Sequence, residues 1–307
     1  MTDKAKIGFI GVGLMGHGMA KNMLEAGHPM MVKGNRNRAP VEDLVSRGAV
    51  ELDSPRALAE ACDIIHICLS NAPQVESVFR GPDGILAGAR EGLVVVECST
   101  SDPNVTLALA AELAEKSGHV VDAPLGRTPK EAEAGTLDAM VGADPAVFER
   151  IKPVLECWAG NINYVGPVGA GHKMKLIMNT IAMSYGALYA EVTALGAKVG
   201  IPPVTIQRVI GSSRLGNGFF DTFMSYAVDR DRDAHKFTIA NASKDVRYAN
   251  AMAAEAGALS LIASATRQYF AQAEAQGFAE DYVPMMADHI ARMNGLDLEE
   301  EAKKGRD

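Results

Sequence analysis

Four groups of residues in this sequence have types and spacings suited to chemistry. The first is Gly11-Val12-Gly13-Leu14-Met15-Gly16. At that spacing the first glycine turns the chain tightly, the second lets backbone approach a pyrophosphate, and the third lets a helix pack closely on a strand. The helix start, with Leu14 and Met15 in it, would direct its free N–H groups at the phosphates. The second group is Asn35, Arg36 and Arg38 in "KGNRNRAP". An amide suits a ribose hydroxyl, and guanidinium groups suit a 2′-phosphate and the adenine face. The stretch contains no carboxylate, so NADP(H) is favoured over NAD(H); a solvated basic loop is the competing reading. The third is Lys175 and Asn179, four apart and therefore on one helical face, with His172 one turn before the lysine. A lysine on an apolar helix face is costly without a role. Desolvation and the positive end of a helix both disfavour the ammonium charge, which suits a proton donor near neutral pH. A lysine that snorkels to the surface would show the same spacing. The fourth is Arg127, alone in the turn of "DAPLGRTPKEAEAGTL" (122–137). It offers a planar fork of donors to an anionic ligand, or it pairs with Glu131 or Glu133.

The elements that must hold these groups follow from hydrophobic pattern. Strands are expected at 6–10, 29–33, 63–70, 93–99, 119–123, 138–142 and 162–166, separated by segments of helical spacing. "SDPNVTLALAAELAEKSG" has Asp102 before Pro103, a good helix start. Near-continuous apolar strands alternating with helices imply a mostly parallel sheet covered on both faces. The glycine motif lies between the first strand and a helix from 14 to 27, the context it needs. We therefore expect a Rossmann-type doubly wound α/β domain over 1–166. From 167 to 307 only helices are expected, giving an all-α substrate and oligomerisation domain. It opens with one long helix over 172–200; others follow near 203–211, 217–228, 238–256, 258–276 and 283–293. The tail "LEEEAKKGRD" reads as charged and frayed. The small residues Gly186, Ala187, Ala190, Ala194 and Ala197 of the long helix suit close packing, and its apolar length points to a homodimer or homotetramer.

Composition narrows the class. The chain has 307 residues, 48% hydrophobic and 22% charged, enough for about two domains. A net charge of −8 provides no general attraction for nucleic acid or an anionic membrane. Cys62, Cys68, Cys98 and Cys157 show no paired spacing and read as free thiols. His28, His66, His119 and His172 lack ligand spacing, so no metal is expected. With no signal-peptide core and no transmembrane-length run, a cytoplasmic location is expected.

The "GLMG" fingerprint, "ECSTSDP", the "DAP" turn, "GAGHKMKLIMN" and "ASKDVRYA" occur in one order along nearly the whole chain. In that order and spacing the chain resembles the β-hydroxyacid dehydrogenases, which include 3-hydroxyisobutyrate dehydrogenase and tartronate semialdehyde reductase. The resemblance implies hydride transfer between a nicotinamide and a small hydroxy acid or its aldehyde. It implies that Lys175 is the general acid and that Asn179 bonds the substrate. Ser99 and Thr100 would line the nicotinamide and substrate pocket, with Leu69 and Ser70 also on the cofactor. Lys244 would close over cofactor and substrate, while Asp245 anchors its helix. Most members resemble "DAPVSGG" at the carboxylate-gripping turn, where this chain has Leu125-Gly126-Arg127-Thr128. "GRT" followed by "GTL" looks like the subgroup containing 3-sulfolactaldehyde reductase, whose members are also linked to succinic semialdehyde. That subgroup would imply NADH, whereas the two arginines after the second strand point to NADPH. Alternatives are a 3-hydroxyisobutyrate or tartronate semialdehyde type, a 6-phosphogluconate-type decarboxylating enzyme, an imine reductase, or a cofactor-binding regulator without activity.

Overall fold

The computed structural model describes residues 4–306. Among them nine strands form one sheet: β1 (Ile7–Ile10), β2 (Met30–Lys33), β3 (Val50–Glu51), β4 (Ile64–Ile67), β5 (Val94–Glu97), β6 (His119–Asp122), β7 (Leu125–Gly126), β8 (Leu137–Gly142) and β9 (Ala159–Gly166). Their order is β3-β2-β1-β4-β5-β6-β8-β7, with β9 beside β8. Pairs from β3 to β6 are parallel. β8 runs antiparallel to β6 and β7 and parallel to β9. β1, β4 and β5 are buried along their whole length, as a sheet covered on both faces requires. Successive residues of β5 serve opposite cores: Val94 and Val96 join one apolar cluster and Val95 the other.

The covering helices are α1 (Gly16–Glu25), α2 (Ala39–Ser46), α3 (Pro55–Ala61), α4 (Ala72–Phe79), α5 (Ile85–Gly88), α6 (Pro103–Ala114), α7 (Pro129–Ala134) and α8 (Pro145–Leu155). Asp102 caps α6 by accepting the Asn104 N–H, and Asp144 caps α8. Strand order reverses between β1 and β4, which opens the crevice where such sheets bind ligands. β3 and β7, two residues each, escape periodicity reading because so short a run carries no pattern.

The chain divides into two compact units, one through Lys175 and one from Leu176. The long helix α9 (Ala170–Lys198) begins in the first. The second holds the rest of α9 together with α10 (Pro203–Gly211), α11 (Gly218–Asp229), α12 (Ile239–Glu255), α13 (Leu261–Ala275), a 3₁₀ turn at Val283–Met285, α14 (Met286–Met293) and α15 (Leu298–Lys303). Its core gathers Phe220, Phe223, Ile239, Val246, Phe270 and Met286. The expectation of a frayed tail is corrected here. Asp297 caps α15 by accepting the Glu299 and Glu300 N–H groups. Leu298 and Ala302 are buried, so the charged residues form only the outer face of a docked helix. No helix among the described residues is long and apolar enough to cross a membrane.

Candidate active site

The glycine motif forms a cradle at the C-terminal end of β1. Gly11 has φ +95°, and a side chain there would overlap the Cys68 carbonyl. A side chain at Gly16 would overlap the Gly11 carbonyl, so helix and turn meet backbone to backbone. Nothing lies within 4 Å of a Cβ built on Gly13. That open approach, beside the exposed Leu14 and with Met15 offering no side-chain cap to α1, fits a pyrophosphate. Nearby, the Leu69 N–H donates to Ser99 Oγ at 2.8 Å, joining two loops of the crevice. Ser70 is exposed and Thr100 half-buried beside them.

At the end of β2 the structure supplies the carboxylate missing from the local sequence. Arg38 Nη1 and Nη2 donate to Glu51 Oε1 and Oε2 at 2.7 and 2.6 Å. The Arg38 guanidinium holds the Glu51 carboxyl below its usual range. Glu51 arrives from β3, in register with Val32 of β2. The expectation that no carboxylate stands here is thus overturned, because the acidic residue comes from a neighbouring strand instead of the same loop. Asn35 and Arg36 are exposed.

A fully buried polar network starts where β5 and β6 end. Asp122 Oδ1 accepts the Gly169 N–H at 2.6 Å and Oδ2 accepts the His172 N–H at 2.7 Å. One carboxylate thereby caps the first turn of α9 from the sheet, which fixes where Lys175, one turn after His172, leaves the helix. His172 Nε2 lies 3.0 Å from the Ser99 carbonyl and 3.0 Å from Glu97 Oε2. Its N–H points at the carbonyl, so Glu97 acts there mainly as a neighbouring charge. Nδ1 lies 2.8 Å from Thr106 Oγ1, and that hydroxyl also lies 3.2 Å from the Asp102 carbonyl. Nε2 therefore carries a proton, directed at the Ser99 carbonyl. Burial alone would lower the His172 pKa, but the Glu97 carboxylate and then Asp122 outweigh it and raise it. Burial raises the Asp122 pKa, opposed by His172 and the two N–H donors. Glu97 also accepts the Ser99 N–H at 2.8 Å. Ser99 and the start of the Lys175 helix are therefore held as one piece. Lys175 itself is half-buried and Lys173 is exposed.

Arg127 stands in the turn between β7 and α7 with φ +77°, a left-handed conformation that favours glycine. Its partner is neither of the expected glutamates. Nε pairs with Asp138 Oδ2 at 3.0 Å, across the β7–β8 register that places Asp138 opposite Gly126. Glu131 instead forms a capping box with Thr128, and Glu133 bonds His17 and Lys21. In the second unit, Asn179 Nδ2 donates to Asp245 Oδ2 at 2.6 Å, and Lys244 Nζ lies 3.1 Å from Asp245 Oδ1. Asp245 is buried and joins the two residues. The sequence reading missed Glu51, Glu97, Asp122 and Asp138 as partners. A carboxylate closing an apolar strand, as in "VVVE" and "HVVD", was the one signal available.

A strand-turn-helix cradle at the switch point of a doubly wound sheet, followed by an all-helical region, defines an NAD(P)-dependent oxidoreductase. Residues 6–166 match the family described as the NAD binding domain of 6-phosphogluconate dehydrogenase. Residues 169–288 match that described as the NAD-binding of NADP-dependent 3-hydroxyisobutyrate dehydrogenase. The chain belongs to the β-hydroxyacid dehydrogenase family. A 2-(hydroxymethyl)glutarate dehydrogenase of Eubacterium barkeri is 42% identical over 69% of this chain and 70% of its own length. A 2-hydroxy-3-oxopropionate reductase of Escherichia coli K12 is 34% identical over 95% of this chain and 97% of its own. A 3-sulfolactaldehyde reductase of the same strain is 31% identical over 89% and 91%.

Proposed function

We propose that the protein reduces a small acidic semialdehyde, of the 3-sulfolactaldehyde or succinic semialdehyde type, to its hydroxy acid. Reduced nicotinamide, when bound, supplies the hydride. The aldehyde carbon gains that hydride and the carbonyl oxygen gains a proton from Lys175 Nζ, so the product is the alcohol. An ammonium placed where negative charge develops on oxygen stabilises the transition state and completes the proton transfer. The observation that carries this reading is the fastening of the Lys175 helix to the Ser99 loop through Asp122 and His172. It supports a proton donor held in a fixed place. Gly126, Arg127 and Thr128 are proposed to take the substrate's anionic tail. Asn179 and Lys244 keep the substrate-binding roles that the resemblance implies.

Rates with 3-sulfolactaldehyde, succinic semialdehyde, methylmalonate semialdehyde and tartronate semialdehyde, each with NADH and NADPH, test the substrate class. Oxidation of 2-(hydroxymethyl)glutarate belongs in the same panel, given the relative of that name. Lys175→Ala should lower kcat by about 10²- to 10⁴-fold while NAD(P)H binding stays intact. A Lys175→Ala protein with undiminished turnover would remove the proton-donor role. We also propose a homodimer or homotetramer, since Ile177, Ile181, Leu188 and Leu195 stand exposed along α9. A monomer by light scattering would exclude it.

A further inference from the structure

The pair at the end of β2 decides how much of the basic loop is available to a cofactor. Arg36 and Arg38 both follow β2, where the adenosine ribose of a dinucleotide lies in this fold. Only Arg36 has no ion-pair partner among the described residues. Arg38 has both terminal nitrogens on Glu51, in the parallel two-bond geometry that a phosphate would also adopt. The pair is built into the backbone. A side chain at Gly34 would overlap both Arg38 Nη1 and Glu51 Oε1, so the loop folds directly over it. Glu51 lies in register with Val32, so the β2–β3 pairing sets its backbone beside the Arg38 loop.

We propose that Glu51 is a cofactor-selectivity residue: it competes with the 2′-phosphate of NADP(H) for the Arg38 fork and so restrains a preference that the two arginines would otherwise produce. The 2′-hydroxyl of NAD(H) makes no such demand on Arg38, and its binding leaves the pair in place. With Glu51 present, a 2′-phosphate meets Arg36 together with a carboxylate that repels it. With Glu51 neutral, it meets two guanidinium groups.

The test is equilibrium binding of NADP⁺ and NAD⁺ to the whole protein by calorimetry, without substrate, so that it stands apart from any result on the aldehyde. Glu51→Gln should tighten NADP⁺ about tenfold and change NAD⁺ less than about twofold, the increment of one charge-assisted contact. Binding of 2′,5′-ADP should tighten in parallel. Adding Arg38→Gln in the Glu51→Gln background should weaken NADP⁺ about tenfold, back to about the parent's affinity. An NADP⁺ affinity unmoved by Glu51→Gln, or NAD⁺ tightening equally, overturns the proposal. So does an Arg38→Gln change that costs NADP⁺ nothing in the Glu51→Gln background, since the released guanidinium would then not reach the phosphate. Thermal melting of each variant checks folding; should Glu51→Gln not fold, Glu51→Asp, one methylene shorter, is expected to shift NADP⁺ in the same direction by a smaller factor.

Discussion

Replacing His66 with leucine should remove an acid sensitivity of the first unit. His66 lies in the middle of β4 with no exposed surface, and among the described residues neither ring nitrogen has a hydrogen-bond partner. It stacks on Phe9 at 5.8 Å and meets Trp158 edge-on at 6.1 Å. Burial, and secondarily the charge of His28, depress its pKa from 6.5 to about 3. The unfolded chain therefore takes up a proton near pH 6.5 that the folded chain refuses. Stability is fully present above that value and is lost as pH falls from about 6.5 toward 3. Each unit of pH inside that window costs about 1.4 kcal/mol, so acidifying from about pH 7.5 to 5.0 should cost about 2 kcal/mol through His66 alone. Other titrating groups act equally on both proteins. The difference in unfolding free energy between His66→Leu and the parent should therefore move by about 2 kcal/mol in favour of the variant across that range. The chain has a single tryptophan, buried against this ring, so urea unfolding followed by its fluorescence reports on this unit alone. Parallel pH curves for the two proteins would show that the folded state accommodates the charge, and the reasoning would fail.

The remaining mutational predictions concern the helix anchor and the turn. Asp122→Ala uncaps Gly169 and His172 and leaves the His172 ring with Glu97 as its one flanking carboxylate; we expect a loss of about 3–5 kcal/mol and a fall in kcat of about 10²-fold. Denaturation together with steady-state rates measures both, and an unaltered kcat would disconnect the network from Lys175. Arg127→Gly should raise KM for the acidic aldehyde more than it lowers kcat. It should leave melting nearly unchanged, because glycine relieves the left-handed backbone at φ +77° while an exposed pair such as that with Asp138 adds little stability. Substrate affinity identical to the parent's would make the arginine purely structural.

The fold and the family were legible because their signals are contiguous. Gly11 to Gly16 occupy six positions in a row, and the strand-helix alternation repeats often enough to be read. Lys175 and Asn179 share a helical face by spacing alone. The partners were not legible. Glu51 reaches Arg38 only through strand register, and Asp138 reaches Arg127 only because β7 and β8 run antiparallel. Asp245 lies far along the chain from Asn179. Register and pairing are tertiary outcomes, and local pattern carries no record of them. The α15 tail misled for a related reason: its charges are plain in the sequence, but the two small apolar contacts that dock it are sparse.

Anchoring α9 by its first turn has a consequence for how length variation would be tolerated. Each residue of a helix turns the chain by about 100°. One residue inserted between His172 and Lys175 would rotate the ammonium to another side of the rod, while Asp122 still gripped the same two amides. The same insertion before Gly169 would fall in the connecting loop and be absorbed there. Insertions and deletions in descendants of this gene should therefore accumulate upstream of Gly169 and be purged from the three positions that follow His172.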